Sequence, residues 1–172
     1  MTKSPLEIER KWLVDGWPKA PLPVLKEELM RQGYISVEPT VRIREEGLVG
    51  GGTTYVLCVK NRGNGLTRKE TEIEITREQF EKLEDIIDLP LVPKLRRTYL
   101  LPGSEHLEVN LVDEEAPTGF SYAEVEFPDE ETARAFDPAA AGLEDYLTRE
   151  VTNVPGQTMG AYWRRNRLGL PE

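Results

Sequence analysis

The sequence has little of what soft-metal chemistry and membranes require. Cysteine and histidine each occur once among 172 residues, as Cys58 and His106. A single thiol cannot build an intramolecular disulfide framework, and one residue of each kind is too few for a zinc or copper site. His106 reads as a strand-turn residue and Cys58 as wall packing. No run approaches the roughly 20 apolar residues of a membrane span. The opening Met1-Thr2-Lys3-Ser4-Pro5-Leu6-Glu7 has no apolar signal region, so a reducing cytoplasm is the expected setting. Positive charge is also short. Lys and Arg number 22 against 31 Asp and Glu, a net charge of −9. That excludes broad nucleic-acid binding through phosphate contacts, while local basic clusters remain able to hold a small polyanion. Internal repeats, low-complexity tracts and linkers are missing, which leaves one domain over residues 1–172. No Ser-His-Asp set, nucleophile elbow or Walker-type loop is present; Gly50-Gly51-Gly52 lacks the following Lys-Ser/Thr and reads as a turn.

What the sequence does have is strands. Segments rich in β-formers, mostly bounded by Gly, Pro or acidic turn residues, occur at 6–14, 39–46, 54–62, 68–76, 93–101, 105–113 and 121–128. Helices are expected at 21–32, at 76–88 with a Thr76/Gln79 capping box, at 129–136 with Asp129 as N-cap, and at 157–167. Gly47 to Gly52, Gly63-Asn64-Gly65 and Pro102-Gly103 read as turns between antiparallel neighbours. The class is α+β with β dominant.

Alternate side chains of a strand point to opposite faces, and here that parity sorts charge. Glu7, Glu9 and Lys11 oppose Ile8 and Trp12; Arg42 and Arg44 oppose Val41 and Ile43; Lys60 and Arg62 oppose Leu57 and Val59. Arg68, Glu70, Glu72 and Glu74 oppose Ile73 and Ile75. Lys94 and Arg96 share a parity, Glu108 and Asn110 oppose Leu107, Val109 and Leu111, and Glu124 and Glu126 oppose Val125 and Phe127. A solvated sheet face would mix Thr, Ser, Gln and Lys. These faces instead carry Glu-x-Glu three times and cation pairs three times. Like charges two apart on a strand sit roughly 7 Å apart and repel unless something lies between them. A divalent cation and a polyanion together relieve both repulsions. If the sheet closes with this parity inward, the lumen is a charged tunnel and helices 21–32 and 76–88 cover the apolar outside. Clustered Glu without His or Cys suits a hard ion such as Mg²⁺ or Mn²⁺, and the Arg and Lys suit a chain of phosphates. Phosphoryl transfer needs positioning and charge stabilisation, with no side-chain nucleophile.

Glu7-Ile8-Glu9-Arg10-Lys11 resembles the Glu-x-Glu-x-Lys signature of the CYTH family, the triphosphate tunnel metalloenzymes that include class IV adenylate cyclases and thiamine triphosphatases. Later segments match in order: Gln32-Gly33-Tyr34, Val41-Arg42-Ile43-Arg44, a strand ending at Lys60, Gly65 to Glu72, Lys94-Leu95-Arg96, Ala123-Glu124-Val125-Glu126 and Arg149-Glu150-Val151-Thr152. The resemblance runs almost the whole chain. It implies a closed eight-stranded antiparallel β-barrel with helices packed outside. Lys11, Arg42, Arg44, Lys60, Lys94 and Arg96 would hold a triphosphate, with Arg68 as a further inward cation. Glu7, Glu9, Glu70, Glu72, Glu124 and Glu126 would hold Mg²⁺ or Mn²⁺, with Glu108 contributing. Tyr34, expected just after the first helix, is either a partner of Lys60 or a rim aromatic; Glu7, Glu9, Lys60 and Tyr34 form the catalytic set. The chain departs from the family pattern at Asn110, where Asp is common, and at Cys58, where Thr is frequent. Of Arg96 and Arg97, parity with Lys94 favours Arg96 as the inward one. Glu74 extends the acidic row toward the tunnel mouth. The expected activity is metal-dependent hydrolysis of a triphosphate, inorganic tripolyphosphate foremost, by a monomer or homodimer with a small-molecule substrate and neither nucleic acid nor membrane as partner. Thiamine triphosphatase, adenylate cyclase and a non-catalytic polyphosphate-binding module are the alternatives. The tail Tyr162-Trp163-Arg164-Arg165 is expected to form a helix able to plug one mouth.

Overall fold

The computed structural model describes residues 6–63 and 65–171. The opening residues 1–5 and Asn64 of the expected Gly63-Asn64-Gly65 turn lie outside them. The strands are β1 (Leu6–Val14), β2 (Val24–Ser36), β3 (Thr40–Leu48), β4 (Thr53–Lys60), β5 (Thr67–Ile75), β6 (Val92–Leu100), β7 (His106–Val112), β8 (Phe120–Glu126) and the short β9 (Arg149–Glu150). Helices α1 (Arg77–Ile87), α2 (Glu130–Ala135) and α3 (Met159–Asn166) complete the chain. The strand order β5-β4-β3-β2-β6-β7-β8-β1 closes on itself through a β1–β5 pairing, and every pairing is antiparallel. β1 makes the closure by dividing its length. Leu6 to Ile8 pair with β5, while Glu9 to Val14 pair with β8. β9 lies beside Trp12 and Leu13, beyond the point where β5 ends. No helix among the described residues is long and apolar enough to cross a membrane.

Seven of the eight barrel strands fall within two residues of the expected segments. The eighth overturns an expectation: residues 21–32, expected as a covering helix, run into barrel strand β2. Lys26, Glu27, Glu28, Leu29, Met30 and Arg31 are good helix formers with favourable charge spacing, so local propensity points to a helix. Tertiary pairing decides otherwise. β2 is flanked over its length by β3 and β6, and the two ladders satisfy its backbone from both sides. Its outward Leu29 remains 61% exposed, so no helix covers that part of the wall. β4 ends at Lys60, which leaves Arg62 beyond the strand, exposed and paired with Glu38 at 2.8 Å.

The barrel is inverted relative to a soluble sandwich: charge lines its lumen, one apolar core lies outside the wall, and a second reaches from the outer face to Tyr34, Tyr122 and Met159 at one end of the lumen. One core gathers Trp12, Leu107, Val109, Ala123 and Val125 from β1, β7 and β8 against Ala133, Leu143 and Leu147 from the segment after β8. Arg10, also on the outer face, staples this segment: its guanidinium donates to the carbonyls of Ala133 and Phe136 and to Glu150. The second core lies under α1 and α3 around Ile43, Phe80, Tyr162 and Trp163. α1 begins in the expected capping box, with Gln79 N–H donating to Thr76 Oγ1 at 3.1 Å and Thr76 N–H to Gln79 Oε1 at 2.9 Å. α2 starts at Asp129, which accepts from Thr132 N–H.

Candidate active site

Alternation around a closed wall sends one parity of every strand into a cavity of about 440 Å³. From β1 it receives Glu7, Glu9 and Lys11; from β3, Arg42 and Arg44; from β4, Lys60; from β5, Arg68, Glu70 and Glu72. β6 supplies Lys94 and Arg96, β7 supplies Glu108, β8 supplies Glu124 and Glu126, and β2 supplies Tyr34. The register brings them together in cross-strand pairs: Glu7 with Arg68, Lys60 with Glu70, Tyr34 with Arg42, Arg96 with Asn110, Glu108 with Glu124, and Lys11 with Glu124. All fifteen residues proposed from the sequence therefore line one space.

The charges interlock. Lys60 Nζ donates to Glu7 Oε2 at 2.9 Å and lies 3.3 Å from Glu70. Arg44 pairs with Glu46 and, at 3.1 Å, with Glu72. Arg96 contacts Glu108 and donates to Asn110 Oδ1, each at 2.9 Å. Arg97 turns outward instead, onto Glu27 and over the Trp17 ring, so Arg96 is the inward residue of the two. Lys11 Nζ donates to the Gln157 carbonyl at 2.8 Å and sits over the Tyr122 ring. Lys94 donates to Tyr122 Oη.

Three expectations change at this point. Tyr34 lies inside β2; its hydroxyl accepts from Gln32 and it neighbours Arg42 across the ladder, while Lys60 is engaged by Glu7 and Glu70. Cys58 is fully buried in the wall and does not line the cavity, yet it is more than inert packing. It shares the inward parity of Lys60, its thiol donates to Glu70 at 3.2 Å, and the ligand atoms of Cys58, Glu70 and Glu72 all lie within 4.8 Å of one another. Its thiol is pushed up to about 11 by burial and by Glu70, with Arg42 and Lys60 opposing. A protonated thiol of that kind is a poor soft-metal ligand. Glu74 does not line the cavity and is exposed. Sequence reasoning missed Glu28, Glu46 and Tyr122. Glu46 and Tyr122 share parity with Arg44 and Glu124, a signal that could have found them, whereas Glu28 was hidden by the helical reading of β2.

The carboxyls respond to one another. Glu9 is raised to about 8 by burial and by the neighbouring Glu124 and Glu7 charges. Glu70 is raised to about 7, by burial and then by its hydrogen bond with Glu7. Burial also works to raise Glu7, but the Lys60 ammonium and the hydrogen bond with Glu70 outweigh it and bring the group to about 2. Burial lowers Lys94 well below the usual range, and Arg96, Arg44 and Arg42 add to the effect. For Arg42 the Tyr34 and Cys58 partners outweigh burial and hold the group above its ordinary value. Like charges face each other directly at Glu9–Glu126 and Glu108–Glu124, an arrangement that costs stability unless a cation or proton intervenes. A hard divalent ion fits these residues: an all-oxygen donor set, crowded enough that one buried carboxyl prefers to keep its proton at neutral pH.

The segment after β9 forms one end of the cavity. Val151, Thr152, Gln157, Thr158, Met159 and Gly160 line it. α3 is held there by Asp113, which accepts from Tyr162 Oη at 2.6 Å and from Arg167 Nη2 at 2.8 Å. The expected tail helix is present and seated at one mouth.

No protein-family model matches the chain. An inorganic triphosphatase from Nitrosomonas europaea is 35% identical over 136 residues, 77% of this chain and 83% of that protein. A solved inorganic triphosphatase structure superposes with a TM-score of 0.59 at 28% identity over 100% of this chain and 99% of the other. A Hippeastrum protein of the adenylyl cyclase type, described as having a dominant triphosphatase activity, shares the fold at TM-score 0.56 and 17% identity, covering 81% of this chain and 87% of that one. With the ordered motifs and the charged lumen already in place, the relationship to the Nitrosomonas protein settles the assignment: the chain belongs to the CYTH family of triphosphate tunnel metalloenzymes.

Proposed function

We propose that this protein hydrolyses inorganic tripolyphosphate to pyrophosphate and orthophosphate with Mg²⁺ or Mn²⁺. The observation that carries the reading is the lumen itself. Nine Lys and Arg and ten Glu side chains line about 440 Å³, with the start of α3 at one end. That space suits a compact polyanion with its metal better than a bulky organic triphosphate.

Arg42, Arg44 and Arg96 are suited to grip phosphate oxygens through bidentate forks, and Lys11, Lys60, Lys94 and Arg68 to neutralise the remaining charge. In the absence of substrate several of these cations are held by lumen carboxylates, which keeps them aimed inward at little reorganisation cost. Glu7, Glu9, Glu124 and Glu126 would hold the metal, with Glu70, Glu72 and Glu108 available to support it. When bound there, the metal would supply charge neutralisation and a site for the attacking water. Attack of that water on a terminal phosphorus breaks its bridging P–O bond. The pyrophosphate leaves, and the proton of the water passes to the surrounding base and solvent. Lys60, fixed between Glu7 and Glu70, is placed to meet charge that grows on the transferring phosphoryl group. Tyr34 orients Arg42.

The test is release of phosphate and pyrophosphate from tripolyphosphate, thiamine triphosphate and ATP, each with Mg²⁺, Mn²⁺ or chelator, with cyclic AMP assayed in the ATP samples. Rapid metal-dependent release of orthophosphate from tripolyphosphate is expected. Cyclic AMP with stoichiometric pyrophosphate would replace this reading with a cyclase, and tight binding without turnover would replace it with a binding module.

A further inference from the structure

Of the four lysines that line the cavity, Lys26 lies 3.2 Å from Glu28, and Lys60 lies against Glu7 and Glu70. Lys11 and Lys94 form no ion pair among the described residues. What both touch is one side chain, Tyr122. Lys11 Nζ sits 4.1 Å from the centre of its ring, and Lys94 Nζ lies 3.2 Å from its hydroxyl oxygen. Glu124 stands opposite Lys11 in the β1–β8 register, and the ring takes the ammonium in its place.

Tyr122 is itself fixed. It is 2% exposed, stacks on Phe120 with ring centres 5.8 Å apart, and lies between Leu13 and Asn110 in the β1 and β7 ladders. A phenol is uncharged at neutral pH, so it holds an ammonium by its ring face or its oxygen without cancelling the charge. A carboxylate in the same place would bind each lysine more strongly and compete with phosphate oxygens for it. Lys60, Arg44 and Arg96 carry that competition through Glu7, Glu72 and Glu108; Lys11 and Lys94 do not. Burial lowers both lysines from their ordinary value, and a polyanion between them reverses that shift. The arrangement also leaves Glu124 its oxygens for a metal.

We infer that Tyr122 is a positioning residue: its ring holds Lys11 and its hydroxyl holds Lys94 as an uncompensated pair that grips the phosphates of the substrate. The inference rests on the triphosphatase reading and adds to it the side chain that arranges two of its cations. Both contacts exist before substrate arrives and hold groups that grip phosphate, so Tyr122 governs affinity more than the rate of cleavage. Because different parts of one side chain make the two contacts, they can be removed one at a time.

The test uses the full chain, ¹³C-labelled at the lysine ε-carbon, with Mg²⁺ and an imido-bridged, non-hydrolysable triphosphate. In the free protein the Lys11 ε-methylene protons are expected upfield of those of exposed Lys19 and Lys82, because they lie by a ring face. Tyr122→Phe is expected to keep that shift and move the Lys94 signal. It should weaken binding of the analogue roughly tenfold, the worth of one hydrogen bond to a charged group, with kcat on tripolyphosphate within about threefold. Tyr122→Leu is expected to lose the Lys11 shift as well and to bind more weakly still. Beside Lys94→Met, Tyr122→Phe is expected to add less than about twofold, since the hydroxyl acts through Lys94. An unchanged affinity in Tyr122→Phe, with or without a lower melting temperature, overturns the positioning role and leaves the triphosphatase reading intact. So does a full tenfold effect of Tyr122→Phe beside Lys94→Met. If the parent protein does not bind the analogue, the triphosphatase reading fails and this role with it.

Discussion

The two faces of the barrel wall are made from the same strands, yet they obey different physics. On β1, Glu9 and Lys11 point inward among other charges while Ile8 and Trp12 point outward into an apolar core. The inner face is held by Coulomb interactions that oppose one another; the outer face is held by packing. Chemistry and stability are therefore separable to an unusual degree, because a strand can lose an inner charge without opening a hole in the core. Even the outward charges serve packing, as Arg10 does when it ties the β1 wall to the carbonyls after α2.

The strongest way to break that separation is to change an inner carboxylate. Glu9→Gln is nearly isosteric with the protonated carboxyl that burial and Glu124 already favour. It is expected to reduce metal-dependent turnover by about 100-fold or more, measured as orthophosphate release. The metal-free variant should melt at the same temperature near pH 4 and progressively higher than the parent as pH rises, with the full difference reached at about pH 8. Undiminished turnover would remove Glu9 from the metal set.

The converse substitution is on the outer face. Phe80 is fully buried against the Tyr55 ring at 5.1 Å, and Phe80→Ala is expected to cost about 3–5 kcal/mol in denaturant unfolding. Well below its new melting temperature, the variant should turn over substrate normally. A defect in turnover there would show that the wall transmits outer packing to the lumen.

Acidity sharpens the contrast further. Glu9 and Glu70 have folded-state values of about 8 and about 7, raised from 4.5. Their contribution to stability is complete below 4.5 and is lost as pH rises through those values. Glu7, lowered to about 2, acts the other way: its contribution is present above 4.5 and is lost as pH falls toward 2. The metal-free protein should therefore be most stable at about pH 4 to 5, lose melting temperature as pH rises to about 8, and level off above it. Added Mg²⁺ replaces the protons on Glu9 and Glu70, so it should flatten the alkaline limb and bind more tightly as pH rises. A flat metal-free profile from about pH 5 to about pH 8 would mean that the lumen carboxyls are not crowded as described.

The same division explains what was legible in the sequence. Where one face is uniformly charged and the other uniformly apolar, as on β1, the alternation gave the strand and its inward residues together; β1 spans the segment read from the sequence. On β2 neither face is uniform, since Leu25, Glu27, Leu29 and Arg31 share one parity, and the helix-forming residues there pointed the wrong way. Its strand character comes from two neighbouring ladders that no local window contains. Cys58 packs in the wall as its residue type suggested, while its parity with Lys60 already pointed to the contact its thiol makes with Glu70.

The smallest expected effect lies farthest from the lumen. Thr76 is exposed and starts α1 through the reciprocal bonds with Gln79. Thr76→Ala removes one of those two bonds, leaves Phe80 seated, and is expected to cost about 1 kcal/mol. For a domain of this size that is a drop of roughly 2–4 °C in melting temperature. Because α1 rests on the outside of β2, β3 and β4, the inward Arg42, Arg44 and Lys60 should keep their positions, and kcat/KM for tripolyphosphate should stay within about twofold, a change too small to count as a lost contact. A tenfold loss from this exposed cap would mean that the strands relay a change at their outer edge to the lumen, and the two faces of the wall would then have to be treated as one coupled unit.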